Sequence, residues 1–195
     1  MMVKNKIANI RIAVMIANES EDMEVTIPID IWRRAGLIIE LVSVEKKNTI
    51  ILQSGTKIYC NETIDKTNLD QFNAIYLPGG RGYVKFKDMK LSEKLIRTLK
   101  KFAADEKKWI FAICAAPSLL GEFELLKNEK VTVYPGFEKP LGKNYVDKDL
   151  VVDGNFITAR GAAHSYDLAF TVVENFLGKE IALNVANDVF YKLKK

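Results

Sequence analysis

An open, mostly parallel α/β sheet with helices on both faces is the architecture this sequence predicts. Three observations carry it. Short apolar runs of strand character alternate with longer stretches of helical period along the chain. The strand runs are almost continuously apolar, as strands covered on both faces must be. An acidic loop, a Pro-Gly-Gly turn and a cysteine each directly follow a strand run, so all three can converge on one crevice at the carboxyl ends of the strands.

Residues 10–17 read as a buried strand, followed by an acidic loop over 18–22. The helical period runs from Met23 to Ala35 and stops at Gly36, with Pro28 expected to bend it. Residues 37–44 form the next strand. Residues 50–52 and 57–60 read as short strands around the Ser54-Gly55 turn. Residues 74–77 form a buried strand ending in Pro78-Gly79-Gly80. An amphipathic helix follows over 92–104, with Leu95, Ile96, Leu99, Phe102 and Ala103 on one face. The strand 109–113 runs into Cys114 and a following helix. Residues 130–134 read as a strand and 135–148 as a loop-rich insertion. A hairpin is expected over 150–158 around Asp153-Gly154. Two helices close the chain. One spans about 165–177 and stops at Gly178; the other carries Ala182, Val185, Ala186, Val189, Phe190 and Leu193 at helical spacing. The basic end, Lys192 to Lys195, suits a helix carboxyl terminus.

Composition narrows the function classes. A chain of 195 residues with 48% hydrophobic content suits a single domain, here the whole span 1–195. No segment is apolar for long enough to span a membrane, and residues 1–17 read as a first strand rather than a leader, which points to the cytoplasm. Two distant cysteines make no disulfide framework, and a single histidine argues against a zinc site. The net charge of +4 comes from scattered lysines interleaved with acids, which describes a solvated surface and no nucleic-acid footprint.

Cys114 carries the chemistry. The apolar run Trp109–Ile113 ends at it, and small residues and Pro117 follow. A strand turning sharply into a helix holds its corner residue near free backbone N–H groups, which favour a thiolate. The geometry is that of a nucleophile elbow with cysteine in place of serine.

With these motifs in place, the chain resembles the ThiJ/PfpI superfamily, in the branch of the Parkinson-disease protein deglycase. The matching segments are Ala112-Ile113-Cys114-Ala115-Ala116-Pro117, Leu77-Pro78-Gly79-Gly80, Glu21-Asp22-Met23-Glu24 with Ile27-Pro28-Ile29-Asp30 and Arg33-Arg34-Ala35-Gly36, then Arg160-Gly161 and Val173-Glu174 through Glu180. Their order and spacing make the resemblance specific over nearly the whole chain. It implies a flavodoxin-like three-layer sandwich and a homodimer through the first helix, around Met23, Asp30 and Arg33-Arg34.

The resemblance also assigns roles. Cys114 matches the reactive, oxidation-prone cysteine, and Glu24 the acid that hydrogen-bonds it. Gly80 and Ala115 match positions whose backbone N–H groups line the pocket, with Gly79 beside them. A buried Glu24 would have a raised pKa and could hold or move a proton. Two departures stand out. Ala115 occupies the place where family proteases carry a histidine, and Tyr134 stands where many deglycase-like members have one. A phenol, with an ordinary pKa of about 10, is a poor base at neutral pH but can donate a hydrogen bond. Arg160 and His164 are candidates for the pocket rim, with a local capping or surface role at a helix start the first reading of His164, and Cys60 is expected to be a small strand hydrophobe.

The implied activity is cysteine-dependent handling of 2-oxoaldehydes or of the glycated side chains they form, in the manner of a glyoxalase III or protein deglycase, with no metal or organic cofactor. A redox sensor or chaperone is the alternative, and a peptidase or amidase the weakest reading.

Overall fold

The computed structural model of the protein describes residues 9–193, apart from the side chains of residues 89–92. Met1 to Ala8 and the basic Lys194-Lys195, included in the readings above, lie outside the described residues. A seven-stranded sheet forms the middle layer, in the order β5-β2-β1-β6-β7-β9-β8. Its strands are β1 (Arg11–Ile16), β2 (Ile38–Ser43), β5 (Glu62–Thr63), β6 (Ala74–Leu77), β7 (Trp109–Ile113), β8 (Leu150–Asp153) and β9 (Phe156–Ala159). All neighbours pair in parallel except the edge hairpin of β8 and β9. A separate small hairpin joins β3 (Thr49–Ile51) to β4 (Lys57–Tyr59).

Strand alternation divides the core into two. Ile12, Val14 and Ile16 of β1 pack into one cluster with α1 (Asp22–Arg34), α4 (Ser165–Leu177) and α5 (Lys179–Asp188). Ala13 and Met15 point the other way, into the cluster formed with α2 (Met89–Ala104) and α3 (Ser118–Glu122). The expected three-layer, flavodoxin-like arrangement is therefore present, with both faces of the sheet dry. Chain order reverses at β1, whose neighbours are β2 on one side and β6 on the other, so a crevice opens beyond the carboxyl ends of β1 and β6.

Four local readings need correction. Residues 130–134 do not form a ladder strand; only Val131 makes a bridge, to Tyr145. The backbone there is satisfied by other partners: the Thr132 N–H donates to Thr158 Oγ1, and the Tyr134 N–H to the Cys114 carbonyl. The helix after Cys114 is a single short turn beginning at Ser118, not at the corner itself. A side chain at Gly121 would run into the Pro140 carbonyl, so this helix lies pressed against the insertion. The last helix ends at Asp188, and Phe190 is 97% exposed in a left-handed conformation. Tyr191 pulls the chain back instead: its ring stacks on Phe170 and Tyr166, and its hydroxyl donates to Asp167 at 2.6 Å. Finally, β5 and a 3-10 segment over Arg81–Lys87 stand where the sequence pattern gives no element.

Candidate active site

The corner after β7 places Cys114. Its φ is 61°, a left-handed conformation that an L residue adopts only under constraint. Two hydrogen bonds hold it there. The Cys114 N–H donates to the Ala159 carbonyl at 3.0 Å, and the Cys114 carbonyl accepts from the Tyr134 N–H at 2.8 Å. The thiol is partly buried, and the backbone N–H groups of Gly80 and Ala115 point at the sulfur.

The crevice brings the other half of the site. Glu21 caps α1 by accepting from the Glu24 N–H at 2.8 Å, and the acids of the first turn suit the helix amino terminus. Glu24 then points inward and is fully buried. Its Oε2 accepts from the Gly79 N–H at 2.7 Å, while Oε1 has no hydrogen-bond donor among the described residues. A Cβ on Gly79 would lie 2.7 Å from Cys114 Cβ and 2.9 Å from Glu24 Oε2, so only glycine fits between them. Gly80, at φ 79°, bridges to Ser20, and a side chain there would strike the backbone of Glu19 to Glu21. The carboxyl ends of β1, β6 and β7 thus meet at one point.

The electrostatics differ from the thiolate expected at this corner. Burial pushes the Cys114 thiol up to about 12, the Glu24 charge and its hydrogen bond add to this, and the Gly80 and Ala115 donors act against it. Burial also raises the Glu24 carboxyl to about 7; the Gly79 N–H and the thiol oppose this, and the Glu21 charge reinforces it. Two interacting acids titrate as a pair. Above about pH 7 this pair holds one proton and one negative charge, with the proton on sulfur and the carboxylate ionised; below it both groups are protonated. The reversal comes first from burial of the thiol and then from the carboxylate beside it, and the helix begins four residues past the sulfur.

The remaining site residues sit around this pair. Tyr134 is 48% exposed, held beside Cys114 by its backbone, with its ring against Gly161 and Phe137. Arg160 follows the strand residue that Cys114 bonds, and its guanidinium pairs with Asp147 and Asp149. His164 stands at the start of α4 and pairs with Asp167 at 3.3 Å and Asp149 at 3.6 Å. These two side chains face acids of their own neighbourhood. Cys60 is fully buried, and burial pushes its thiol up to about 12. A cavity of about 650 Å³ opens elsewhere, among Asp149, Phe170, Glu174, Leu183 and Tyr191, and Cys114 is not among the residues that line it. Among the described residues, no group of three or more His, Cys, Asp or Glu side chains is arranged to hold a metal, and no helix is long and apolar enough to cross a membrane. Sequence reading missed Tyr76, whose hydroxyl donates to the Glu24 carbonyl at 2.7 Å. A tyrosine inside a buried strand was the available signal, since a buried hydroxyl needs a partner.

A buried acid facing a cysteine at a strained strand exit is the site of a cysteine-centred α/β protein. The chain belongs to the DJ-1/PfpI family, whose profile matches residues 10–175. It is 33% identical over 193 residues to an uncharacterized protein of Mycoplasma pneumoniae, covering 94% of this chain and 91% of the relative. It is 31% identical over 159 residues to Deglycase PH1704 of Pyrococcus horikoshii, covering 80% of this chain and 93% of that protein. Among solved structures, oxidized Toxoplasma gondii DJ-1 superposes with a TM-score of 0.86 at 26% identity, covering 94% of this chain and 100% of that one.

Proposed function

We propose that the protein is a cofactor-independent enzyme acting on small 2-oxoaldehydes, or on their adducts with protein side chains, in the manner of a glyoxalase III or deglycase. The observation that carries this reading is the Cys114–Glu24 pair, closed over by Gly79 and faced by the Gly80 and Ala115 N–H groups. The sulfur adds to the aldehyde carbon, its proton passes by way of Glu24 to the new alkoxide oxygen, which takes hydrogen bonds from backbone donors, and Glu24 is left as the carboxylate. Glu24 then moves a proton from the former aldehyde carbon to the neighbouring ketone carbon by way of an enediol. The hemithioacetal becomes a thioester, and water hydrolyses it to a 2-hydroxy acid and the free thiol. No electrons leave the substrate, so no oxidant is required. Relatives named as deglycases support this reading.

The test is methylglyoxal turnover by the wild type, Cys114→Ala and Glu24→Gln. Loss in both variants is expected; equal rates in all three remove the enzyme. Oxidation of Cys114 is the second reading, favoured by the oxidized state of the Toxoplasma gondii relative. Peroxide treatment followed by mass spectrometry checks it, and a Cys114 left unmodified while other residues oxidise rejects it. We also propose a cytoplasmic homodimer through α1, whose Met23, Asp30, Arg33 and Arg34 are exposed. A monomer by light scattering would contradict it.

A further inference from the structure

We propose that Tyr76 is the positioning residue for Glu24: its hydroxyl replaces the backbone donor that Pro28 removes from α1, and so fixes the turn that carries the acid. In a regular helix the carbonyl of Glu24 accepts from the N–H four residues on. That residue is Pro28, which has none, yet α1 runs unbroken from Asp22 to Arg34. Glu24 is fully buried, so water cannot take the place of the missing donor. A buried carbonyl left without a donor keeps the full cost of its desolvation. The Tyr76 hydroxyl, reaching across from β6, supplies the hydrogen bond at 2.7 Å.

The hydroxyl is held firmly in place. Tyr76 is fully buried, and its ring meets Trp32 edge-on at 5.1 Å. The Trp32 indole in turn donates to the Ala169 carbonyl of α4 at 3.0 Å. Gly79, three residues beyond Tyr76, binds the Glu24 carboxylate at 2.7 Å. One short segment therefore grips the same residue twice, at its main chain and at its side chain. Loss of the first grip frees the first turn of α1 and moves the carboxyl relative to Cys114. An error of about 1 Å in such a placement costs up to about 100-fold in rate.

The inference rests on Cys114 and Glu24 acting together, but its test needs no oxoaldehyde. Alkylation of Cys114 by iodoacetamide is followed against pH, with the site resolved by mass spectrometry. The variants are Tyr76→Phe and the double change Tyr76→Phe with Pro28→Ala, which returns an N–H to the helix. The wild-type rate is expected to rise through a midpoint near the Glu24 value of about 7. Tyr76→Phe should shift that midpoint by about half a pH unit or more and lower the plateau about 10-fold. The double variant should return to within about two-fold of wild type, because its new N–H restores the missing hydrogen bond. Tyr76→Phe that loses thermal stability but keeps midpoint and plateau reduces the hydroxyl to a structural filler and overturns the proposal. A double variant no better than Tyr76→Phe also overturns it. Intact alkylation shifts with no methylglyoxal turnover would instead reject the substrate reading and leave the positioning role standing.

Discussion

The Gly79 N–H donates to Oε2 of Glu24 at 2.7 Å, and the same glycine leaves no room for a methyl group between the acid and the sulfur. Gly79→Ala therefore tests the contact without replacing either reactive residue. The new Cβ would press on Cys114 Cβ, Glu24 Oε2 and the Ile113 carbonyl. Overpacking of this kind costs about 1–3 kcal/mol. For a chain of this length that is a fall in melting temperature of about 2–12 °C. Turnover should drop by up to about 100-fold, since the pair is forced apart. Retained turnover with a lowered melting temperature would show that the spacing is not needed for chemistry.

The pH profile of turnover follows from the proton count of the pair. Below about 7 both groups are protonated, and the acid cannot take the thiol proton. Above it the carboxylate is free. Activity should rise tenfold per pH unit on the acid side and level off near that value. Glu24→Gln should be inactive or flat across the range. A wild-type profile that is flat from about pH 5 to about pH 8 would contradict the role assigned to Glu24.

Much of this architecture was legible in the sequence, for a reason visible in its residues. The runs over β1, β6 and β7 are apolar on both faces because both faces are covered, and the turns that follow them carry Gly79, Gly80 and Cys114. What escaped reading was non-local. The sulfur lies at a corner rich in N–H donors, which alone argues for a lowered pKa; burial and the Glu24 carboxylate, 90 positions earlier in sequence, reverse the sign. Phe190 and Leu193 keep the helical period beyond Asp188, where the last helix ends. The Tyr191 hydroxyl bonded to Asp167, and its ring on Phe170, override that period. Residues 130–134 have strand composition, but the Thr158 hydroxyl and the Cys114 carbonyl take the hydrogen bonds a ladder would need.

Glu24 should also weaken the fold at neutral pH. Its carboxyl moves from 4.5 in the unfolded chain to about 7 in the folded one. Between those values the folded state binds more protons than the unfolded, so stability falls as pH rises through that window and stays reduced above it. Each pH unit separating the two values is worth about 1.4 kcal/mol, so the full effect is about 3–4 kcal/mol. Glutamine does not titrate and keeps an oxygen for the Gly79 N–H. Glu24→Gln should therefore melt about 6–16 °C above wild type at about pH 8, and close to it at about pH 4. Thermal melts at both pH values check this; a constant difference between the two proteins would rule out titration of Glu24 as the cause.

The conformation at Cys114 makes a prediction independent of the sulfur. At φ 61° any L side chain bears a left-handed penalty of about 1–2 kcal/mol, and glycine bears almost none. Glycine loses part of that advantage through the greater freedom of its unfolded chain. Cys114→Ala and Cys114→Gly both delete the thiol, so neither should turn over substrate, and comparing them isolates the backbone. In regular secondary structure alanine is the more stable replacement by about 0.5–1 kcal/mol. Here the order should invert, with the glycine variant unfolding at higher denaturant by about 0.5–1 kcal/mol in free energy. The hydrogen bonds from Tyr134 and to Ala159 hold the corner in both variants, so the inversion reports the strain that those bonds impose. An alanine variant as stable as the glycine one would mean that the corner relaxes once the sulfur is gone. The left-handed turn would then be a consequence of the thiol's contacts with Glu24 and the backbone donors rather than of the strand exit.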